Sequence, residues 1–250
     1  MAHRSGAASL FLDDPAADGR PVLVDVLTGL PTDIVSAELD ADTGQVWLTS
    51  AAATAARATR DLLAVAPVAS GTDTRLATVD RITLAGVDDG LDTRDIVFDD
   101  RADRAWVLSR RPEAVLTLDF ALSPPRPGDA PLGPTYAVGA GPSRIRRIVV
   151  PFDPDGGGPI EPRDRTYIIV SAYDANAVQV IDPELGLIAT VAGLAGPFEM
   201  AYDESRERLF VTNFGNNTIA VIDLSPLRTG ASPRLLAQLG DADPPNPFAQ

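Results

Sequence analysis

Four segments of the chain follow one template, and this repetition restricts the fold more than any single residue does. Each begins with an apolar-alternating run ending in Asp, then a polar turn, an aromatic-bearing run and a further β-type run. The first pairs Asp33–Asp40 with Gln45–Ser50, and the second pairs Asp95–Asp99 with Arg104–Ser109. The third pairs Ile148–Asp153 with Arg165–Ser171, and the fourth pairs Phe198–Asp203 with Arg208–Asn213. Asp40, Asp99, Asp153 and Asp203 align at spacings of 59, 54 and 50 residues. Trp47, Trp106, Tyr167 and Phe210 then occupy one slot of the following run.

Each unit continues with two more runs. The third run is Asp61–Val65, Ala114–Asp119, Ala177–Asp182 and Thr218–Asp223 in turn. The fourth closes on Gly, at Thr83–Gly86, Tyr136–Gly139, Leu187–Gly193 and Leu235–Gly240. Alternation with period two, β-branched residues and turn punctuation favour strands. The 22 Pro and 20 Gly residues, and 28 Asp against 7 Glu, describe short elements joined by tight turns. Four antiparallel strands repeated every 50–60 residues define an all-β chain, a β-propeller of four-stranded antiparallel blades. The expected blades are 31–86, 93–139, 144–193 and 197–240, with partial strands at 9–29 and 246–250. One blade cannot bury both its faces, so the aromatic slot is the natural filler between blades.

The run Leu209–Asp223, with Val211-Thr212-Asn213, the Gly215-Asn216-Asn217 turn and Val221-Ile222-Asp223, resembles the repeat of the YVTN-type β-propellers. The third unit resembles it through Ile169-Val170-Ser171 and Val178-Gln179-Val180-Ile181-Asp182, while the first two units are degenerate. The resemblance implies bacterial or archaeal proteins of the periplasm, the cell surface or the exterior, most of them interaction scaffolds. It also implies relatives among lactonases and oxidoreductases. Asn216-Asn217 supplies the positive φ of a tight hairpin, so the motif itself carries no chemistry.

Partial strands at both ends lead to the expectation that the chain belongs to a longer propeller or self-associates to close the ring. Met1-Ala2-His3-Arg4 lacks the apolar core of a signal peptide. The formal net charge of −14 argues against nucleic acid as a partner, and no apolar stretch is long enough to insert in a membrane. All 21 basic residues are Arg, Cys is absent, and the one His is His3. Thiolate chemistry, His-based triads and ordinary His or Cys metal sites are thereby excluded.

Segments leading into each blade open at the channel mouth, and there the chain holds Asp33, Arg94, Arg144 and Glu199. Mixed guanidinium and carboxylate groups around a funnel suit a polar ligand, with Arg making bidentate contacts. Asp153-Pro154-Asp155-Gly156-Gly157-Gly158 is oxygen-rich and Gly-punctuated, which makes Asp153 and Asp155 candidate calcium ligands. A plain hairpin insertion explains the same residues. The residues point to no cofactor other than this calcium. The leading expectation is a non-enzymatic scaffold of the envelope or exterior that binds a protein or glycan partner at the channel mouth. The alternative is a propeller enzyme, either a calcium-assisted lactone or ester hydrolase or a domain of an oxidoreductase.

Overall fold

The computed structural model describes residues 2–3, 6–13, 20–51, 61–84, 91–99, 104–119, 132–154 and 163–240. Nearly all of them lie in antiparallel sheets whose strands pair in chain order, the arrangement of β-propeller blades. A three-stranded sheet comprises β1 (Ala2–His3), β2 (Ala7–Asp13) and β3 (Pro21–Thr28). The first four-stranded sheet comprises β4 (Ile34–Asp40), β5 (Gln45–Ser50), β6 (Asp61–Ser70) and β7 (Asp73–Thr83). The second comprises β8 (Thr93–Phe98), β9 (Arg104–Arg110), β10 (Glu113–Asp119) and β11 (Leu132–Ala137). The third comprises β12 (Pro142–Phe152), β13 (Arg163–Ala172), β14 (Ala177–Asp182) and β15 (Gly186–Val191). The fourth comprises β16 (Pro197–Asp203), β17 (Arg208–Asn213), β18 (Thr218–Asp223) and β19 (Arg234–Leu239). Residues 246–250, expected to begin another strand, lie outside the described residues.

The chain divides into two compact units, Met1–Pro112 with Leu116–Gly133, and Glu113–Val115 with Pro134–Gln250. In the first unit Trp47, Leu62 and Ala64 pack with Ile96, Ala105, Val107 and Leu118 in one apolar cluster. In the second, Tyr167, Ile169, Val178 and Val180 pack with Met200, Leu209 and Val211. The aromatic slot therefore fills the space between successive sheets at Trp47 and Tyr167, which are 4% and 1% exposed. Phe210 differs, being only half-buried.

The fourth strand of the first full blade differs from the expected Thr83–Gly86. Strand β6 runs on to Ser70, turns at Gly71 (φ 65°) and returns as β7 over Asp73–Thr83. Pro67 hides this continuity in the sequence. It pairs with Leu76 of β7 beyond the stretch where β5 pairs with β6, so its missing N–H faces no second neighbour.

The repeating Asp residues hold turns. Asp40 accepts from the backbone N–H groups of Asp42 and Thr43 at 3.1 and 3.4 Å, and from the Thr43 hydroxyl at 2.5 Å. Asp203 accepts from the Ser205 hydroxyl at 2.6 Å and the Arg206 N–H at 3.2 Å. A second Asp series closes an ion pair within each of the last three sheets. An Arg at or near the start of the second strand meets the Asp that ends the third, as Arg104–Asp119 (3.8 Å), Arg165–Asp182 (2.6 Å) and Arg208–Asp223. The tight hairpin after β17 has Asn217 at φ 56°, a conformation Asn tolerates better than most residues.

Asp223 is 1% exposed. Burial alone would raise its pKa, but hydrogen bonds from the Ser225 hydroxyl and N–H, with Arg234 and Arg208 alongside, hold it below the ordinary value. A lowered native pKa stabilises the fold fully above about pH 4, the usual aspartate pKa, and the contribution vanishes as pH falls through the native value. Thermal melting of wild type and Asp223→Asn across pH 2–7 tests this. The wild-type advantage is expected to be largest near neutrality and to shrink steadily below about pH 4.

Candidate functional site

Every first strand of the four-stranded sheets breaks register at its start. The shifts fall between Ile34 and Ser36 in β4, Thr93 and Asp95 in β8, Pro142 and Arg144 in β12, and Pro197 and Met200 in β16. A bulge re-aims the side chains beside it and leaves local backbone groups free for other partners. Arg94, Arg144 and Glu199 lie at these irregularities, and Asp33 immediately precedes one.

In the second unit the bulges of β12 and β16 bring Arg144 and Glu199 together. Arg144 Nε donates to Glu199 Oε2 at 3.0 Å, and Arg146 Nη2 donates to Oε1 at 3.4 Å. The Arg144 guanidinium carbon lies 4.7 Å from the centre of the Phe198 ring, a cation–π arrangement. The Ser171 hydroxyl ties the two strand starts together. It accepts the Arg144 backbone N–H at 3.1 Å and donates to the Phe198 carbonyl at 2.7 Å. Thr212 fixes the Glu199 backbone, accepting its N–H at 2.9 Å. Gly141 at φ 65° precedes this segment, and a Cβ there would overlap Asp174. The side chains of Arg144, Glu199 and Arg146 remain 21%, 47% and 45% exposed. Two guanidiniums, a carboxylate and an aromatic ring thus share one accessible surface. Arrangements of this kind bind anionic or polar groups and place a carboxylate within reach of water.

In the first unit Arg94 turns to Asp92 rather than to solvent. Arg94 Nη2 and Arg111 Nη2 both donate to Asp92 Oδ2, at 2.9 and 3.3 Å, and Asp92 is 1% exposed. Nearby, the Ser36 hydroxyl donates to Asp95 Oδ1 at 2.5 Å. Asp33 adopts φ 62°, its carbonyl accepts the Ala51 N–H at 2.9 Å, and its carboxylate has no partner among the described residues. A separate open cleft of about 480 Å³ lies against the β6–β7 turn, lined by Val24, Asp25, Thr72, Asp73, Thr74 and Arg75. Sequence reasoning did not reach Asp92, Arg111 or Ser36. A bulge shows in sequence only as a one-residue slip in alternation, as where apolar Ile34 and Val35 are adjacent.

Of the two candidate calcium ligands, Asp153 follows β12 and donates its backbone N–H to the Arg228 carbonyl at 2.7 Å. Asp155 lies outside the described residues. Among the described residues no group of three or more acidic or His side chains is placed to hold a metal ion. Tyr202 is no base near neutrality. Burial, then the charges of Glu207 and Glu204, push its hydroxyl up to about 12.

No family model matches this chain, and no curated protein matches it by sequence. Solved structures do share its fold. A functionally unknown protein from Desulfotomaculum acetoxidans aligns over 96% of this chain, with TM-score 0.61 and 17% identity. A putative 6-phosphogluconolactonase from Bacteroides fragilis aligns over 94% with TM-score 0.61 and 14% identity. Another, from Bacteroides uniformis, aligns over 92% with TM-score 0.62 and 15% identity. The chain spans 65%, 64% and 63% of the length of these three structures. The expectation of a non-enzymatic scaffold is corrected here, because the solved structures that share the fold include proteins named as putative 6-phosphogluconolactonases.

The two clusters differ in what they contribute to stability. Glu199→Gln removes an exposed pair and is expected to cost no more than about 1 kcal/mol. Asp92→Ala removes the buried acceptor shared by two guanidiniums. It is expected to cost about 2–3 kcal/mol, less than a fully buried pair because both guanidiniums keep some solvent. Urea unfolding of the two variants against wild type measures the difference.

Proposed function

We propose that this β-propeller is a hydrolase of lactones, with Glu199 as general base and Arg144 and Arg146 as substrate-binding and oxyanion-stabilising groups. The observation that carries the reading is the convergence of both guanidiniums on the exposed Glu199 carboxylate at two adjacent bulges. The putative 6-phosphogluconolactonases of the same fold support the reaction class. We also assign the Arg165–Asp223 repeat to the YVTN type, on the residues of its strand and turn.

Hydrolysis of a lactone needs water and no other co-reactant. Glu199 takes a proton from water as the oxygen attacks the ring carbonyl carbon. The carbonyl π pair moves to oxygen, where a guanidinium stabilises the negative charge. Collapse of this intermediate breaks the ring C–O bond, and the proton held by Glu199 passes to the departing alkoxide. The product is an open hydroxy acid. Arg pairs also suit a substrate that carries its own carboxylate or phosphate. With neither Cys nor Lys in the chain, a carboxylate base is the chemistry most readily at hand.

Proton release at constant pH from aldonolactones, with and without a phosphate group, tests the proposal against spontaneous hydrolysis. Wild type is expected to accelerate ring opening. Glu199→Gln should lower kcat roughly 10²–10⁴-fold, the usual weight of a general base. Arg144→Ala should raise KM and lower kcat together. A folded wild-type preparation that leaves the spontaneous rate unchanged for every lactone overturns the reading.

A further inference from the structure

The Arg144–Glu199 contact joins the starts of β12 and β16, first strands of two different sheets, across 55 positions of sequence. Ladder pairing acts within a sheet and does not fix the spacing between sheets. Both strand starts are also irregular, with register breaks between Pro142 and Arg144 and between Pro197 and Met200. The 3.0 Å between Arg144 Nε and Glu199 Oε2 therefore depends on groups that bridge the two strands. One such bridge, Arg146 Nε donating to the Met200 carbonyl at 3.2 Å, ends on a long side chain that is 45% exposed.

Ser171 makes the other kind of bridge, from a short side chain to backbone on both sides. Its Oγ accepts the Arg144 N–H at 3.1 Å and donates to the Phe198 carbonyl at 2.7 Å. It thus holds the residue that carries the guanidinium and the residue that immediately precedes the carboxylate. A Ser hydroxyl has one proton to give, and here that proton goes to the second sheet. Ser171 is 0% exposed, so water does not replace the hydroxyl when it is removed. Thr212 differs on both counts. It accepts the Glu199 N–H at 2.9 Å within its own sheet, and it is exposed.

We infer that Ser171 is a positioning residue, whose buried hydroxyl sets the Arg144 guanidinium against the Glu199 carboxylate so that both meet one substrate. The inference rests on the lactonase reading of that cluster. Both bonds of Ser171 go to backbone, so it acts through Arg144 and Glu199 and not by contact with the reacting atoms. The conservative variant is available, because the first pair beyond the bulge in the β4–β7 sheet puts Thr49 in the same slot, also 0% exposed. Ser171→Thr keeps the hydroxyl, and Ser171→Ala removes it.

Two readouts on the 250-residue chain test this. In 15N NMR the Arg144 Nε–H signal, assigned by its loss in Arg144→Lys, reports solvent exchange, with Glu199→Ala as the unpaired reference. Ser171→Ala is expected to speed this exchange roughly tenfold, the usual weight of a charged hydrogen bond, toward the Glu199→Ala rate. Ser171→Thr should stay near wild type. In lactone hydrolysis Ser171→Ala should lower kcat by about 10–10²-fold with a smaller change in KM, the usual result of misplacing a reacting group by about 1 Å. Ser171→Thr should recover most of that loss. Ser171→Cys, similar in size with a weakly bonding thiol, serves in place of Ser171→Ala if that variant unfolds. With an active wild type, a Ser171→Ala protein that melts lower but keeps the wild-type exchange rate or kcat overturns the inference and leaves the lactonase reading standing. A wild type that opens no lactone overturns the lactonase reading, and this role falls with it.

Discussion

The burial of one sheet's aromatic face against the next sheet is the interaction on which the rest of this molecule depends. Trp47 and Tyr167 are almost fully enclosed, each within a cluster drawn from two sheets. Losing one such side chain typically costs about 3–5 kcal/mol, several times what an exposed ion pair supplies. Stacking therefore decides which residues each strand must place on which face. The Arg104–Asp119, Arg165–Asp182 and Arg208–Asp223 pairs act within sheets, joining the start of the second strand to the end of the third. They reinforce strand register; they do not select the architecture.

The same stacking explains why the candidate site sits where it does. Residues inside a sheet are committed to one face or the other by alternation, and in the two core clusters the apolar faces go to the neighbouring sheet. Only where alternation breaks can a polar side chain escape that commitment. The bulges at the starts of β12 and β16 supply the break, and Arg144 and Glu199 use it to meet each other instead of packing. The corresponding bulge in β8 sends Arg94 to buried Asp92, so the same backbone device yields an accessible cluster in one case and a largely closed one in the other.

The architecture was largely legible in the residues, and the site much less so. Repeating Asp residues, an aromatic slot and apolar alternation are local signals, and they located most strands, including Arg208–Asn213 and Thr218–Asp223, at their ends. Pro67 defeated the reading of β6 and β7, since a Pro is harmless to a strand only when its missing N–H faces no partner, and pairing is invisible in sequence. Arg144 and Glu199 were noticed separately, as residues leading into different blades. Their contact spans 55 positions and depends on two one-residue bulges. Asp92 drew no notice because an Asp in a turn-rich acidic chain looks like every other Asp until its burial is known.

That abundance of Asp sharpens the meaning of Glu199. The described Asp residues are largely taken up by structure: Asp40 and Asp203 close hairpins, while Asp182 and Asp223 anchor Arg165, Arg208 and Arg234. Such carboxylates are held by backbone N–H groups or by buried geometry and cannot change partners without local unfolding. Glu is scarce, with 7 residues, and the 8% exposed Glu207 is bound to Arg228 at 2.6 Å. Glu199 differs in kind. Both its carboxylate oxygens accept from side-chain guanidiniums, one of them also at 3.4 Å from the Met200 N–H, and nearly half of its side chain meets solvent. Guanidiniums on flexible stems can turn from the carboxylate to an incoming ligand, whereas a turn amide cannot. In a chain whose acids mostly serve the fold, a carboxylate with movable partners is the one best placed to serve chemistry.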